Sequence, residues 1–523
     1  MVGRLGVALA GLVVLVGLGG CSAPDGGGAP NVAPEIASFS TRAVPVTSAR
    51  FDWNVLDADG DALTCTLDVE MDGVDDVSFG DCVSVTSHVH GYAVPGLYTV
   101  KLSVNDGHGH TVFETANVIA NGTNSTVATW LRQFGSGGTD FGEGIAVAEG
   151  GHVVVAGYTS GSLGGYPNAG LNDVFVARFD AQGTALWVRQ LGTSAQDDGY
   201  DVAVDSAGNA FVVGRTYGAM PGQASAGLSD AFVAKYDVQG TLLWVRQFGT
   251  SAADEGHGVA ADGVGNVFVV GNTAGAFPGQ LSAGLADVFV AKYSSQGTQL
   301  WARQFGSSNG DFGTDVAVDG DGNALLAGST YDALPGQTSA GGADAFLAKM
   351  DGQGGVLWVR QFGTSAGDGV DGVALGADGS TVVVGSTSGT LPGQVGAGSV
   401  DVVVAAYDAQ GSSQWTLQFG TAGADYGRDV AIDGMGNAVL IGETDGSLPG
   451  NVNLGLLDAL VAKVDDEGTL VWTRQFGSSA TEFGAGVAVN SVGEAIATGY
   501  TAGTLPGQTS LGAADALLVK YLP

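Results

Sequence analysis

The chain has 523 residues, of which 45% are hydrophobic, so it is long enough for two or three domains with buried cores. Its formal net charge at pH 7 is −35, and a chain this acidic repels phosphate backbones, which argues against nucleic acid as a partner. Gly accounts for 90 residues, and these separate short runs rich in Val, Ala and Phe. This distribution predicts an all-β fold of many short strands joined by tight turns.

Residues 1–20 have the features of a signal peptide. Arg4 supplies a positive charge, and residues 5–20 form an apolar run that is short for a membrane span. The run ends in Leu-Gly-Gly before Cys21, a motif that resembles the lipobox of bacterial lipoproteins. This resemblance implies cleavage before Cys21 and lipidation of its thiol, which would anchor the chain in a membrane of the cell envelope. Ser22 in the next position implies the outer membrane, with the protein periplasmic or surface-exposed. The alternative is an ordinary signal peptide that happens to end at a cysteine.

Residues 21–33 are rich in Gly and Pro and almost uncharged, so we expect a flexible tether there. Residues 34–122 contain alternating hydrophobic runs separated by turn-forming residues, the pattern of a small β-sandwich. The segments FDWNVLDADGDALTCTLD and PGLYTVKLSVNDGHG resemble the PKD and related Ig-like modules of bacterial surface proteins. The resemblance implies an Ig-like sandwich with Trp53 in its core. PKD modules usually carry FGDG where this chain has FGDC at residues 79–82, a departure from the family pattern.

Two features of this small domain predict a disulfide and a metal-binding loop. Cys65 and Cys82 form an even pair in an exported chain, which predicts a disulfide. A D-x-D-x-D run is formed by Asp57, Asp59 and Asp61. The run looks like a Ca²⁺-binding loop, because hard cations take oxygen ligands. It lacks the Gly and Glu of an EF-hand, so a plain turn is the alternative to a metal site.

Residues 125–523 are built from a 57-residue repeat. One tryptophan marks each copy, with no insertion between copies: Trp130, Trp187, Trp244, Trp301, Trp358, Trp415 and Trp472. A full copy holds four strand-like runs, the pattern of a propeller blade. The last copy lacks its fourth run, and the segment around Trp130 supplies one at the other end of the repeat region. We therefore predict a seven-bladed β-propeller whose N-terminal strand completes the last blade and removes exposed edges.

The repeat unit closely resembles the SBBP repeat, a β-propeller family common in exported bacterial proteins. The resemblance rests on the W-x-R-Q-F-G and D-x-F-V-A-K positions and spans most of the repeat region. It implies the fold and brings no known activity with it.

Acidic residues recur at two positions of the repeat, beside the long loops that we expect on one face of the propeller. One set precedes the first strands: Asp140, Asp197, Asp254, Asp311, Asp368, Asp425 and Glu482. The other precedes the third strands: Asp173, Asp230, Asp287, Asp344, Asp401, Asp458 and Asp515. A Ca²⁺-binding ring of the first set is one interpretation. The alternatives are capping of turns and ion pairs with the Arg and Lys residues that also repeat.

Positions where the repeats differ are further candidates, because residues that every blade shares are mostly scaffold. On the loop face these are Tyr166, Arg215, Tyr217, His257, Phe277, Tyr331 and Asp332. Exposed aromatic and polar side chains together suit glycan or protein binding. Neutral variation of loop residues is the alternative for each of them.

The sequence therefore predicts a non-enzymatic, lipid-anchored cell-envelope protein. Its β-propeller would serve as a platform for a protein or glycan ligand, and its partners would be the membrane, through the lipid anchor, and that ligand. No cofactor is expected, and Ca²⁺ at the acidic positions is the alternative. The alternative is an exported carbohydrate-active enzyme that uses carboxylates on the loop face.

Overall fold

The structure is a computed structural model that describes residues 33–44, 48–58, 61–69, 76–83, 86–91, 96–108, 110–120 and 128–522. The chain divides into two compact units, Met1–Ser125 and Thr126–Pro523. The predicted signal peptide, Cys21 and Asp59 lie outside the described residues. Within the described ranges, no helix has the length and apolar character needed to cross a membrane.

The first unit contains seven strands among its described residues: β1 (Glu35–Val44), β2 (Ser48–Leu56), β3 (Thr64–Asp68), β4 (Val77–Phe79), β5 (Ser87–Gly91), β6 (Gly96–Asn105) and β7 (Thr111–Ala120). They form two antiparallel sheets, ordered β1-β2-β5 and β4-β3-β6-β7. Alternate side chains of a strand share one face of its sheet, and here those of β2, β3 and β6 enter one hydrophobic core. The core therefore joins both sheets, and the Ig-like topology stays a prediction.

A disulfide joins Cys65 of β3 to Cys82, with a distance of 5.7 Å between the two Cα atoms. Both residues are buried in the same core. The indole N–H of Trp53 donates a hydrogen bond of 3.3 Å to the carbonyl oxygen of Cys82. The predicted disulfide is confirmed, and the indole contact satisfies a polar group that burial would otherwise leave without a partner.

The second unit repeats a four-stranded antiparallel sheet. The first strands are β9 (Asp140–Val147), β13 (Asp197–Val204), β17 (Asp254–Ala261), β21 (Asp311–Val318), β25 (Asp368–Leu375), β29 (Asp425–Ile432) and β33 (Glu482–Val489). The second strands are β10 (Val153–Thr159), β14 (Ala210–Thr216), β18 (Val267–Thr273), β22 (Ala324–Thr330), β26 (Thr381–Thr387), β30 (Ala438–Thr444) and β34 (Ala495–Thr501). A short 3₁₀ helix, Glu149–Gly151, lies between β9 and β10.

The third strands are β11 (Asp173–Phe179), β15 (Asp230–Tyr236), β19 (Asp287–Tyr293), β23 (Asp344–Met350), β27 (Asp401–Tyr407), β31 (Asp458–Val464) and β35 (Asp515–Tyr521). The fourth strands are β8 (Trp130–Phe134), β12 (Ala185–Leu191), β16 (Leu242–Phe248), β20 (Gln299–Phe305), β24 (Val356–Phe362), β28 (Ser413–Phe419) and β32 (Leu470–Phe476). Each sheet takes its strands in this order, and β8 pairs with β35. The all-β fold and its repeated sheets, the arrangement of a β-propeller, are confirmed.

The repeated W-x-R-Q motif links most of the sheets to the one that follows. The indole N–H of Trp130 donates to the carbonyl of Ala181, at 3.1 Å, and Arg132 Nε donates to the carbonyl of Gly183, at 2.9 Å. Equivalent tryptophans make the same bond in later copies. Second and third strands are buried along almost their whole length, because neighbouring sheets cover both of their faces. The motif is therefore part of the scaffold.

Candidate functional site

An extra residue interrupts the pairing between every first strand and its second strand. In β9 the register moves from Gly142 opposite Gly157 to Gly144 opposite Ala156, which leaves Glu143 in a β-bulge. The same shift occurs in each of the other repeated sheets. The bulged residues are Glu143, Tyr200, His257, Thr314, Asp371, Arg428 and Ala485. Bulges redirect side chains and are common beside functional sites.

A glycine of each second strand makes room for this bulge. A Cβ atom on Gly157 would lie 1.8 Å from the carbonyl oxygen of Phe141. On Gly214 and Gly271 it would lie 1.9 Å from a carbonyl oxygen of the facing first strand. No backbone can accommodate such a contact, so the repeated glycine of the second strand allows the close approach that shapes the bulge.

The bulged residues line one cavity of about 390 Å³, which we call the first-strand cavity. Phe483, Gly484 and Tyr500 complete its lining. Its volume lies within the range of pockets that bind small molecules. The bulged position carries a different residue in every copy of the repeat, whereas the residue three places later is always alanine. The cavity is therefore the place where the repeats differ from one another most.

One side of the first-strand cavity is aromatic. The ring centroids of Phe141 and Tyr500 are 4.1 Å apart, and those of Phe483 and Tyr500 are 4.7 Å apart. Tyr158 continues the cluster, with its ring centroid 5.0 Å from that of Phe141. Burial raises the pKa of the Tyr158 and Tyr500 phenols, and Glu143 raises both further. The two hydroxyls therefore stay protonated and can donate hydrogen bonds.

Other residues of the cavity lining are charged, and Arg428 among them is held by carboxylates. Arg428 forms ion pairs with Glu443 and, at 3.4 Å, with Asp371. Burial raises the pKa of Asp371, an effect that Arg428 opposes. Arg428 is thus held by two carboxylates. Glu443 is buried in the second strand of the same sheet, and Asp371 is the bulged residue of the neighbouring sheet.

A second arginine cluster lies beside the cavity residues Tyr200 and His257. Arg215 forms ion pairs with Glu255, at 2.6 Å, and with Asp198, at 3.0 Å. The rings of Tyr200 and His257 stack with centroids 5.3 Å apart. Burial lowers the pKa of His257, so the imidazole is neutral at pH 7. Its ring therefore offers a hydrogen-bonding group to the cavity without a charge.

Glu143 differs from the other cavity carboxylates. Burial raises its pKa to about 8, and Asp198 and Glu443 add to this effect while Arg428 opposes it. Within the described part of the chain, Glu143 makes neither a hydrogen bond nor an ion pair. A carboxyl group in such surroundings holds its proton at neutral pH and releases it when a cation approaches.

The residue after the bulge alternates between Asp and Gly along the chain. The aspartates are Asp201, Asp315 and Asp429, and the glycines are Gly144, Gly258, Gly372 and Gly486. Asp201 accepts hydrogen bonds from Val202 N, at 2.7 Å, and from Val259 N of the next sheet, at 2.8 Å. Burial raises the pKa of Asp201 to about 6 and that of Asp429 to about 7. Burial, with Asp201 and Asp429 nearby, raises the pKa of Asp315 well above its ordinary value. These partly buried acids bridge neighbouring sheets.

The acids predicted from the sequence as a ring lie outside the first-strand cavity. Each is the first residue of a first strand and is buried. Asp254, for example, accepts hydrogen bonds from Thr250 N, at 2.6 Å, and from Thr250 Oγ, at 3.0 Å. In the second set, Asp230 accepts from Ala226 N, at 2.8 Å, and from Gln247 Nε2, at 2.6 Å. This is the geometry of turn caps, and Ca²⁺ binding by the ring stays a prediction.

The structure contradicts the alternative interpretation that these two acidic sets form ion pairs with the repeated Arg and Lys residues. Lys235 instead pairs with Asp205, at 3.0 Å, in the hairpin that joins the first two strands of its sheet. Lys349 pairs with Asp319 of the equivalent hairpin, at 2.9 Å. The repeated arginines donate to backbone carbonyls, as Arg246 does. The lysines are in ion pairs within one sheet, but their partners are turn aspartates.

The remaining sequence candidates are dispersed. His257 lines the cavity, Arg215 lies beside it, and Tyr166, Tyr217 and Tyr331 are exposed. Asp332 accepts a hydrogen bond from Ser308 Oγ, at 2.6 Å. Phe277 was expected on the loop face, but it is buried against Phe248 and Phe289 because the loop folds it into the core.

In the first unit, Asp57 and Asp61 share a turn. Asp57 Oδ1 accepts a hydrogen bond of 3.2 Å from the backbone N–H of Asp61. The second carboxylate, Asp61 Oδ2, lies 3.1 Å from Nδ1 of His108. Ca²⁺ binding there stays a prediction. In the part of the chain that the structure describes, three acidic side chains with metal-like spacing meet at Asp465, Asp466 and Glu467, on a largely exposed turn.

Two curated proteins resemble part of this chain. Regulatory protein FlaEY of Caulobacter vibrioides is 30% identical over 244 residues, which cover 44% of this chain and 25% of that protein. Uncharacterized WD repeat-containing protein L264 of Acanthamoeba polyphaga mimivirus is 20% identical over 407 residues, covering 58% and 29%. The chain thus spans less than a third of the length of either curated relative.

Two solved structures show low similarity to this chain. The extracellular domain of a hybrid two-component system from B. thetaiotaomicron has 11% identity and a TM-score of 0.41, covering 92% of this chain and 51% of that one. Rhamnogalacturonan lyase PL11 from Bacillus licheniformis has 11% identity and a TM-score of 0.32, covering 92% and 88%. Neither value supports an assignment of function. The SBBP family, described as a β-propeller repeat, matches residues 186–219, 243–278, 300–334 and 414–449. The chain therefore carries SBBP β-propeller repeats.

Proposed function

We propose that Thr126–Pro523 is a seven-bladed β-propeller closed by its own N-terminal strand. The pairing of β8 with β35 supports this closure, since it gives the last sheet its fourth strand. Gln133 of β8 donates to Asp515 Oδ2 at 2.7 Å, as Gln247 does to Asp230 within an internal sheet. The contact of β33 with β9 also supports a ring, with the first-strand cavity at its centre.

The function that this geometry supports best is ligand binding at the first-strand cavity. The protein would be a non-enzymatic member of the cell envelope, exported by residues 1–20 and anchored in the outer membrane through lipid on Cys21. Its Ig-like first unit would act as a spacer. The bulged position is the observation that carries this proposal, because a scaffold position meets the same packing in every blade and has no reason to differ in every copy.

A glycan end fits the cavity better than a folded protein surface does. The cavity is concave and small, and it combines stacked rings with separate hydrogen-bonding groups. Sugar rings present an apolar face and a rim of hydroxyl groups, so they need both kinds of contact. Tyr500 and Phe483 would supply the stacking surface, and Thr314, Asp371 and Arg428 would bind hydroxyl groups.

One observation favours a carbohydrate-active enzyme as the second candidate. Glu143 is a carboxyl group that holds its proton near neutral pH within aromatic surroundings, the environment of a general acid. Asp371 is a second carboxylate in the same cavity. Its ion pair with Arg428 leaves it poorly placed to attack a sugar, which makes binding the better-supported function.

A glycan array probed with the full chain, followed by calorimetry on the sugars that bind, tests the proposal. We expect Tyr500→Ala to weaken binding at least ~10-fold, because it removes a stacking face. Phe113→Ala should leave binding unchanged, since Phe113 is an exposed ring of the first unit. A chain that binds no glycan would overturn the glycan proposal. Mass spectrometry of each incubated sugar decides between the candidates, since cleavage that Glu143→Gln abolishes would establish the enzyme.

A further inference from the structure

Glu143 is set apart from the other acids around the first-strand cavity by its lack of a partner. Asp371 and Glu443 share Arg428, and Asp198 and Glu255 share Arg215. None of the described residues donates a hydrogen bond to the Glu143 carboxyl or forms an ion pair with it. A partly buried carboxylate that makes no ion pair can be stabilised by a positive charge that a ligand brings.

The rings beside Glu143 favour the same kind of ligand. Tyr500 lies within 5 Å, centroid to centroid, of both Phe141 and Phe483. The faces of aromatic rings attract cations, and they do so most strongly where water is displaced. A carboxylate together with several ring faces is the set of groups that holds an organic ammonium ion.

The charge around the cavity points the same way. Besides Glu143, which is protonated near neutral pH, four carboxyl groups lie in or beside it: Asp198, Glu255, Asp371 and Glu443. Two guanidinium groups, those of Arg215 and Arg428, oppose them. An acidic ligand would add to this negative excess, whereas an ammonium group would reduce it.

We infer that the first-strand cavity selects an amino sugar, with the protonated amine of the sugar bound at Glu143 among the aromatic rings. The inference rests on the proposed function, since it names the glycan that the cavity would bind. The remaining lining supports a sugar rather than a simple amine, because Thr314, Asp371 and His257 offer hydrogen bonds to hydroxyl groups across the cavity.

Binding must also move a proton. Burial raises the pKa of Glu143 to about 8, so this carboxyl is protonated in the free protein below that pH. An ammonium ion stabilises the carboxylate, and the proton leaves Glu143 for solvent. The amine keeps its own proton, so charge and protons balance: one cation enters and about one proton is released.

Calorimetry on the full chain at pH 6.5 tests the inference with glucosamine, N-acetylglucosamine and glucose. We expect glucosamine to bind at least ~10-fold more tightly than the two neutral sugars, a difference of about 1.4 kcal/mol. In buffers of different ionisation enthalpy, glucosamine binding should release about one proton. Glu143→Gln should abolish both the preference and the proton release while glucose still binds. Glu149→Gln, in the exposed 3₁₀ helix, is the matched control and should change neither.

The outcomes separate this inference from the proposed function. Equal binding of all three sugars, or glucosamine binding without proton release, overturns the inference and leaves glycan binding intact. Binding of none of the sugars, with no hit on the glycan array, overturns both. Binding of a lysine side-chain analogue that depends on Glu143, without any sugar binding, also overturns both and assigns the cavity to a protein ligand.

Discussion

Strand β9 holds two acids three residues apart that behave in opposite ways. Asp140 accepts hydrogen bonds from Ser136 N, at 2.7 Å, and from Ser136 Oγ, at 3.0 Å, and an acid recurs at its position in every copy. Glu143 lines the first-strand cavity without a partner among the described residues, and its position differs in every copy. In a repeat protein, repetition marks what a sheet needs, and variation at a structurally fixed place marks what a ligand needs.

The largest expected effect on stability comes from replacing the glycine that allows the bulge. Gly157→Ala would place a Cβ atom 1.8 Å from the carbonyl oxygen of Phe141. We expect it to lower the free energy of unfolding by about 4 kcal/mol or to prevent folding, because the backbone must move and the cavity with it. Thermal and urea unfolding of the full chain measure the loss. Gly263→Ala is the matched control, since nothing lies within 4 Å of a Cβ added there. A Gly157→Ala variant as stable as the parent would show that the bulge does not depend on this glycine.

The aspartates that follow the bulged residue, Asp201, Asp315 and Asp429, give the next largest expected effect on stability. Burial raises the pKa of Asp201 and Asp429 to about 6 and about 7, so the folded chain binds these protons more tightly than the unfolded chain does. Stability from this source is therefore greatest at acidic pH, and it is lost as the pH rises towards 8. We expect the parent to lose about 3 kcal/mol between pH 5 and pH 8 relative to a variant with Asn at Asp201, Asp315 and Asp429.

Melting temperatures measured across this pH range check the sign. The control is Asp237→Asn, in an exposed turn, where backbone hydrogen bonds hold the pKa of the aspartate below its usual value. That variant should leave the slope between pH 5 and pH 8 unchanged, because its aspartate titrates below this range in both states. Parallel profiles for the parent and the triple variant would contradict the raised pKa values.

The sequence predicted the repeated sheets because hydrophobic runs and turn glycines mark the strands and turns of each repeat, and both are local signals. It also predicted the disulfide, since Cys65 and Cys82 left few alternatives. The cavity was missed, with only His257 named among its bulged residues. A bulge depends on the register between two strands, and no single strand reveals it. Comparing the fourth residue of each first strand across all copies would have found it, because that position differs in every copy.

The predicted acidic positions failed as ion-pair partners for a related reason. Repetition showed that Asp254 and its equivalents matter, but not what they touch. Their partners are N–H groups four residues earlier in the chain, as Thr250 N is for Asp254. Backbone donors are present at every position and leave no mark in a sequence. The same reasoning explains Phe277. The repeats differ at this loop position, which predicted an exposed side chain, but the contacts that bury it in the core leave no mark in the sequence.

The two acids of β9 allow a direct test of the opening contrast. Asp140→Ala removes the cap of Ser136, and we expect it to cost about 2 kcal/mol of stability, because a buried N–H loses its acceptor. Glu143→Ala should leave stability unchanged at pH 5 and raise it at pH 9, where the folded protein otherwise carries a partly buried charge that makes no ion pair. Urea unfolding at both pH values measures the difference. Equal losses for the two variants would mean that both acids belong to the scaffold.

The smallest effect tests whether the seam of the ring behaves like any other junction. Gln133 donates to Asp515 Oδ2 at 2.7 Å, although the two residues lie at opposite ends of the repeat region. In an internal sheet, Gln247 makes the same bond to Asp230 at 2.6 Å. In a closed ring both variants, Gln133→Ala and Gln247→Ala, should lower the free energy of unfolding by about 1 kcal/mol, since each removes one hydrogen-bond donor from a buried carboxylate that keeps a backbone donor. A loss confined to Gln247→Ala would mean that the seam is open in solution. The seam then could not hold Glu143 of β9 and Phe483 of β33 in one cavity, so this small measurement also tests the site.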